Sequence, residues 1–264
     1  MLRWFEHRQV YHPGRRILEA TGAELGRPFE DVRFASADGI DLHGWFFPAD
    51  PASPRVRTAI LVCHGNAGNI SHRLEICGAL LETGVAVFLF DYRGFGQSRG
   101  RPSEEGTYRD AQAAYHWLQQ KGFEPGRIIA FGESLGGGIA SELARREKLG
   151  GLVLQNTFCS IPAIGAELYP WLPVRWICSI KYDTCARLPQ LRLPVLIMHS
   201  RQDELIGFQH AQKNFASANE PKLFWELTGD HNAPLTDRAK PMPLQPIHAS
   251  YTYRPSTACT TSAL

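Results

Sequence analysis

An α/β fold on a mostly parallel central sheet follows from three observations in these 264 residues. Short apolar runs of strand length recur at 58–63, 86–90, 128–131, 152–155, 195–199 and 222–226, and stretches of helical length separate most of them. Runs apolar throughout, rather than alternating, are strands buried on both faces, the signature of parallel strands covered by helices. The run at 128–131 passes directly into Gly132-Glu133-Ser134-Leu135-Gly136 and then an Ala- and Leu-containing helix, so strand, sharp turn and helix meet at a serine. Finally, Ser134, Asp203 and His231 each fall just beyond an apolar run, where open α/β sheets place their sites.

Taken in order, residues 1–30 are mixed and receive no element. Residues 31–37 alternate and end at Asp38-Gly39, a turn signal, and residues 40–47 alternate again; this predicts an antiparallel hairpin. With the six apolar runs it makes about eight strands. Helices are predicted at 71–82, 103–121, 134–146 and 208–218. In the second, Tyr108, Ala111, Tyr115 and Leu118 recur at helical spacing, and Ser103 with Glu104 and Glu105 opens it as a cap with acids in the first turn. Residues 157–190 are dense in aromatics and proline, which predicts a small cap over the site; the alternative is a structural loop that buries its aromatics in the core. Residues 232–264 carry five prolines and no helical periodicity, and read as a disordered tail. The expected organisation is therefore an N-terminal segment (1–30), an α/β domain (31–231) and the tail.

Composition narrows the function. Hydrophobic content of 44% and charged content of 20% are those of a globular protein, and a net charge of +2 argues against nucleic acid as a partner. The six cysteines form no Cys-x-x-Cys pair and read as free thiols in a reducing compartment. No His-Glu-x-x-His, Gly-x-Gly-x-x-Gly or phosphate-loop pattern is present, so neither a metal nor a cofactor is expected. Residues 1–9 are charged and lack the apolar core of a signal peptide, and the longest apolar run, 85–90, is too short to span a bilayer. A cytoplasmic protein is the expectation, with weak contact to a membrane surface through exposed aromatics left open, as is the oligomeric state.

A serine nucleophile needs a base, an acid to orient it, and donors for the developing oxyanion. Asp203 follows the strand at 195–199, with Glu204 as its neighbouring rival; His231 follows the strand at 222–226 after a Gly229 turn. Asp230 cannot readily orient its own neighbour. Backbone N–H groups after the strand at 58–63 can supply one oxyanion donor and the N–H of Leu135 the other. His64 reads as structural, holding that loop; His199 as buried and satisfied; Asp91-Tyr92-Arg93 as a brace beneath the site.

Together, His64-Gly65-Asn66-Ala67-Gly68-Asn69, Asp91 to Ser98, Gly132 to Gly137, Asn156-Thr157-Phe158, Tyr169 to Val174, Pro194 to His199 with Asp203-Glu204, and Gly229 to Asn232 resemble the α/β-hydrolase superfamily. More narrowly, they resemble the small serine hydrolases related to bud-emergence-type proteins and depalmitoylating thioesterases, over about residues 30–232. The resemblance implies the α/β-hydrolase fold, with Ser134 as nucleophile, Asp203 as acid, His231 as base, Asn66 and Leu135 as oxyanion donors, and ester or thioester hydrolysis of a small-molecule or acyl substrate. Ser200 and Gly207 depart from the Gly and Pro usual in the family, and the family's amphipathic C-terminal helix is missing, its place taken by the tail. The rival expectation is a catalytically impaired or truncated protein of the same fold that acts as a binding module.

Overall fold

The computed structural model describes residues 2–14 and 19–232. Residues 233–264 of the 232–264 tail, on which the disorder expectation falls, lie outside the described residues. Eight strands form one sheet: β1 Glu30–Ala35, β2 Asp41–Phe47, β3 Ala59–Cys63, β4 Ala86–Asp91, β5 Ile128–Glu133, β6 Gly151–Gln155, β7 Val195–Ser200 and β8 Lys222–Leu227. Their spatial order is β8-β7-β6-β5-β3-β4-β2-β1. β3 to β8 run parallel, whereas β2 is antiparallel to β4 and β1 to β2. The hairpin turn sits where Asp38-Gly39 predicts it: Gly39 takes a φ of 76°, which favours glycine, and Ala35 pairs with Asp41.

Alternation along β4 shows why apolar runs gave a two-sided sheet. Phe88 and Phe90 belong to a core shared with Tyr115, Leu118 and Leu143. Val87 and Leu89 belong to a second core, with Leu80 and Leu81, on the opposite face. The covering helices are α1 Leu2–Val10, α2 Leu74–Leu81, α3 Glu104–Gln120, α4 Leu135–Arg146, α5 Ile161–Leu168, α6 Val174–Ile177, α7 Thr184–Arg187 and α8 Phe208–Ser217.

Three features differ from the sequence reading. The helix expected over 71–82 is split: a 3₁₀ turn at Ile70–Arg73 precedes α2, because the Asn69 side chain accepts from the Ser71 N–H (2.9 Å) and hydroxyl (2.6 Å) and holds a tight entry turn. The unassigned N-terminus contains α1. That helix is fixed by Glu6, whose carboxylate accepts the N–H groups of Ser179 and Ile180 (both 2.7 Å) and the Ser179 hydroxyl (2.6 Å). Burial raises the Glu6 pKa, but these bonds and one from Cys178 win and hold it below the usual carboxylate range. Residues 157–190 are neither wholly a buried loop nor wholly exposed. Tyr182 is fully buried, its hydroxyl bonded to Tyr11 (2.9 Å) and Thr107 (2.8 Å), whereas Trp171 and Trp176 are 76% and 91% exposed.

Candidate active site

Ser134 stands between β5 and α4 with φ 53° and ψ −116°, a backbone that L residues rarely adopt. Its neighbours explain how the strained turn is tolerated. A Cβ on Gly132 would lie 2.5 Å from the Gly136 carbonyl oxygen, and one on Gly136 would lie 1.9 Å from the Cys63 carbonyl oxygen at the end of β3. The glycines are therefore required by contact between the first turn of α4 and two strand ends, as expected from Gly-x-Ser-x-Gly. The Ser134 N–H donates to the Gln155 carbonyl (2.9 Å), which ties the turn to β6.

The three predicted residues converge. His231 Nε2 lies 3.2 Å from the Ser134 hydroxyl, and His231 Nδ1 lies 2.7 Å from Asp203 Oδ2. With the ring proton on Nδ1 donated to the carboxylate, Nε2 is left to accept from the serine. All three residues are buried. Asp203 Oδ1 accepts the N–H groups of Leu205 (3.0 Å) and Ile206 (2.7 Å). Burial pushes the Asp203 pKa up, but the bonds from His231 and Ile206 more than offset this and hold the carboxyl below its ordinary range.

Glu204 does not compete for the imidazole. Its Oε2 accepts the backbone N–H of His231 (3.2 Å). Asn156, at a φ of 46°, donates from Nδ2 to the His231 carbonyl (3.4 Å) and accepts from the Ser200 N–H (3.1 Å). Ser200, where a family glycine was expected, donates its hydroxyl to the Gly229 carbonyl and accepts the Gln202 N–H (3.1 Å). Gln202 in turn accepts the Gly229 N–H (2.7 Å). The departure thus adds a tie between the two turns that bear Asp203 and His231. Gly207, the other departure, has a φ of −57°, which a proline ring would also fit.

His64 and His199 are both buried. His64 Nδ1 bonds its neighbour's carbonyl, at Gly65 (2.7 Å), and Nε2 faces Asp91 Oδ1 at 3.5 Å. The Tyr92 hydroxyl donates to the His64 carbonyl (2.9 Å), Asp91 accepts the Ile70 N–H (3.1 Å), and Arg93 pairs with Asp110 (2.8 Å). This is the brace expected from Asp91-Tyr92-Arg93. His199 is only half satisfied: Nε2 bonds the Ile206 carbonyl (2.8 Å), and Nδ1 has no partner among the described residues. Burial holds its pKa low.

The loop after β3 lies against the serine turn. The Gly65 N–H faces Glu133 Oε2 at 3.4 Å, and Arg73 joins that carboxylate (2.7 Å) to the Ala67 carbonyl (3.2 Å). Asn66 is held through its carbonyl, by the His12 N–H (2.9 Å), and through its side-chain amide, on the Val10 carbonyl (3.0 Å). His12–Pro13 pairs in parallel with Ala67–Gly68 as a small second sheet. Neither the Arg73–Glu133 clamp nor this N-terminal strap is visible in sequence, because each joins residues remote along the chain through a few polar contacts. Among the described residues, no cluster of His, Cys, Asp and Glu is arranged to hold a metal ion.

The family described as serine aminopeptidase, S33 matches residues 54–180. The chain is 39% identical over 239 residues to the uncharacterized protein Rv2307c of Mycobacterium tuberculosis (89% of this chain, 83% of that one). It is 32% identical over 235 residues to the alpha/beta hydrolase domain-containing protein WAV2 of Arabidopsis thaliana (81% and 76%). To protein bem46 of Schizosaccharomyces pombe it is 29% identical over 204 residues (75% and 68%). In fold it matches the Pyrococcus furiosus esterase Pf2001, with a TM-score of 0.68 at 19% identity over 84% of this chain and 90% of that one. The chain belongs to the α/β-hydrolase superfamily and resembles bem46-like proteins. The family relationship supports a hydrolase.

Proposed function

We propose that this hydrolase cleaves carboxylic esters or thioesters through an acyl-enzyme. The observation that carries the reading is the chain of contacts Ser134–His231–Asp203, at 3.2 and 2.7 Å, in a turn whose strained backbone presents the serine. His231 takes the Ser134 proton as the hydroxyl oxygen attacks the carbonyl carbon. Asp203 keeps the Nδ1–H tautomer and stabilises the imidazolium. The N–H groups of Asn66 and Leu135 receive the oxyanion, and Leu135 contributes from the N-terminus of α4, where the helix dipole favours negative charge. The imidazolium protonates the leaving alcohol or thiol. Water, deprotonated by His231, then releases the acid and restores Ser134.

In this reading, residues 157–190 act as the small cap of the 31–231 domain. Trp4, Phe5, Leu168, Trp171 and Trp176 are large apolar side chains left exposed, which favours an acyl substrate and weak contact with a membrane surface. Sedimentation with anionic lipid vesicles checks the second point, with no wild-type binding ruling it out.

A fluorophosphonate probe and a series of p-nitrophenyl esters from short to long chains, with an acyl-thioester alongside, test the chemistry. Wild type is expected to label and turn over. Ser134→Ala is expected to do neither while unfolding at the wild-type temperature. Wild-type protein that is folded yet inert to probe and substrates would favour the binding-module alternative.

A further inference from the structure

Six cysteines without a Cys-x-x-Cys spacing read as free thiols, and the fold sets two of them apart. Cys159 lies in the loop after β6 and Cys185 in α7, 26 residues apart in sequence, with their sulfurs 2.8 Å apart. The Cys185 N–H donates to the Cys159 carbonyl (3.1 Å), so the two backbones are also in register. The Cys159 N–H donates to His210 Nδ1 (3.1 Å), and the Cys185 sulfur is 3.1 Å from Asn214 Oδ1, which fixes both residues against α8. Cys185 is half-buried and can be reached from solvent, whereas Cys159 is buried behind it. The contact with Cys159 holds the Cys185 thiol below its ordinary pKa, against burial, which pushes it up. The other described cysteines lack this setting. Cys63 and Cys77 are buried, and burial pushes both thiols up to about 12; Cys178 donates to Glu6 (2.8 Å).

We propose that Cys159 and Cys185 form a redox modification site, oxidised to a disulfide by hydrogen peroxide. The Cys185 thiolate attacks the peroxide O–O bond; a Cys185–S–OH forms and, with a proton, one water leaves. The Cys159 sulfur then attacks the sulfenic sulfur, the S–O bond breaks, and the hydroxide leaves as a second water with the Cys159 proton. Two thiols lose two electrons and two protons in total, and the peroxide is reduced to two waters. Closing the sulfurs from 2.8 Å to a bonded distance of about 2.05 Å requires a movement of under one ångström. The bond would close the loop that contains α5, α6, Trp171 and Trp176, and so staple the two ends of the segment read above as a cap.

Purified full-length protein is treated with stoichiometric hydrogen peroxide and mapped by trypsin under non-reducing conditions. The expected product has lost the mass of two hydrogens, regains it with dithiothreitol, and yields one crosslinked pair of peptides containing Cys159 and Cys185. Cutting at the exposed Arg175 should then leave the fragments joined until reduction. Cys185→Ser should abolish the crosslink, and Cys259→Ser should leave it unchanged. A gain of two oxygens on Cys185 without a crosslink, a crosslink to Cys259, or an unmodified pair after other thiols have oxidised would each overturn the assignment. The wild-type peptide map decides the question even if Cys185→Ser folds poorly.

Discussion

The two ends of the Ser134–His231–Asp203 array are held by different physics. At the serine end, position is set by volume: Gly132, Gly136 and Gly137 meet the Gly136 carbonyl, the Cys63 carbonyl and the Thr157 side chain so closely that no Cβ fits. At the base end, position is set by polar side chains. Glu204, Asn156, Ser200 and Gln202 hold the turns bearing His231 and Asp203, next to the sheet-edge strand β8, whose Leu223, Phe224 and Trp225 are only half-buried. Packing of the first kind fails abruptly when a methyl is added. Hydrogen bonds of the second kind fail by degrees, as each supplies about 1 kcal/mol.

The largest expected effect lies at the base end. Asp203→Asn keeps the shape but removes the acceptor that selects the Nδ1–H tautomer, and should lower kcat on the order of 10⁴-fold, as the equivalent substitution does in the serine-protease triad. Ester kinetics would show it; kcat within tenfold of wild type would remove Asp203 from its role. Next is Gly136→Ala, whose Cβ would lie 1.9 Å from the Cys63 carbonyl oxygen, a contact of backbone with backbone. It should destabilise the fold by roughly 3 kcal/mol or more. Gly126→Ala, facing open space, should fall within about 0.5 kcal/mol of wild type by urea denaturation. Equal midpoints for the two would end the idea that volume holds the serine. Glu204→Gln is smaller. It keeps an acceptor but loses the charge on the His231 N–H, and should cost about tenfold in kcat with little change in KM or stability. A changed KM with kcat intact would place Glu204 in substrate binding instead.

This difference also sorts what could be read from the sequence. The sheet was legible because residues buried on both faces leave uninterrupted apolar runs, and all six parallel strands lie within two residues of those runs. The Ser134 turn was legible because a steric requirement leaves glycine no substitute. Asp203 and His231 were reached through strand ends and chain order, and their convergence became visible only in three dimensions. The helix α1 was missed because what fixes it is one carboxylate, Glu6, on the free N–H groups of Ser179 and Ile180. The roles of Glu204 and Asn156 in holding the His231 turn, and the Arg73–Glu133 clamp, were missed for the same reason: isolated long-range hydrogen bonds impose no period and no composition.

The smallest effect separates the two ends by pH. Asp203 is a buried carboxylate held below its ordinary pKa, facing His231 and His199. A depressed folded pKa means that near pH 4 the unfolded chain binds more protons than the native one. The stability it contributes is therefore present above the ordinary carboxylate range and is lost as pH falls through the lower, folded value. Each tenfold difference in proton affinity between the two states is worth about 1.4 kcal/mol. The steric contacts that hold the serine turn are indifferent to protons. Urea midpoints should be highest near pH 8, decline as pH drops below about 6.5 because burial holds His199 low, and fall further below about pH 4 as Asp203 takes up its proton. In Asp203→Asn that acid limb should be shallower, while Gly136→Ala should lie lower at every pH with the limb unchanged in slope. An acid limb as steep in Asp203→Asn as in wild type would assign the loss to other carboxylates, of which Glu6, also held low by the hydrogen bonds that anchor α1, is the first to substitute.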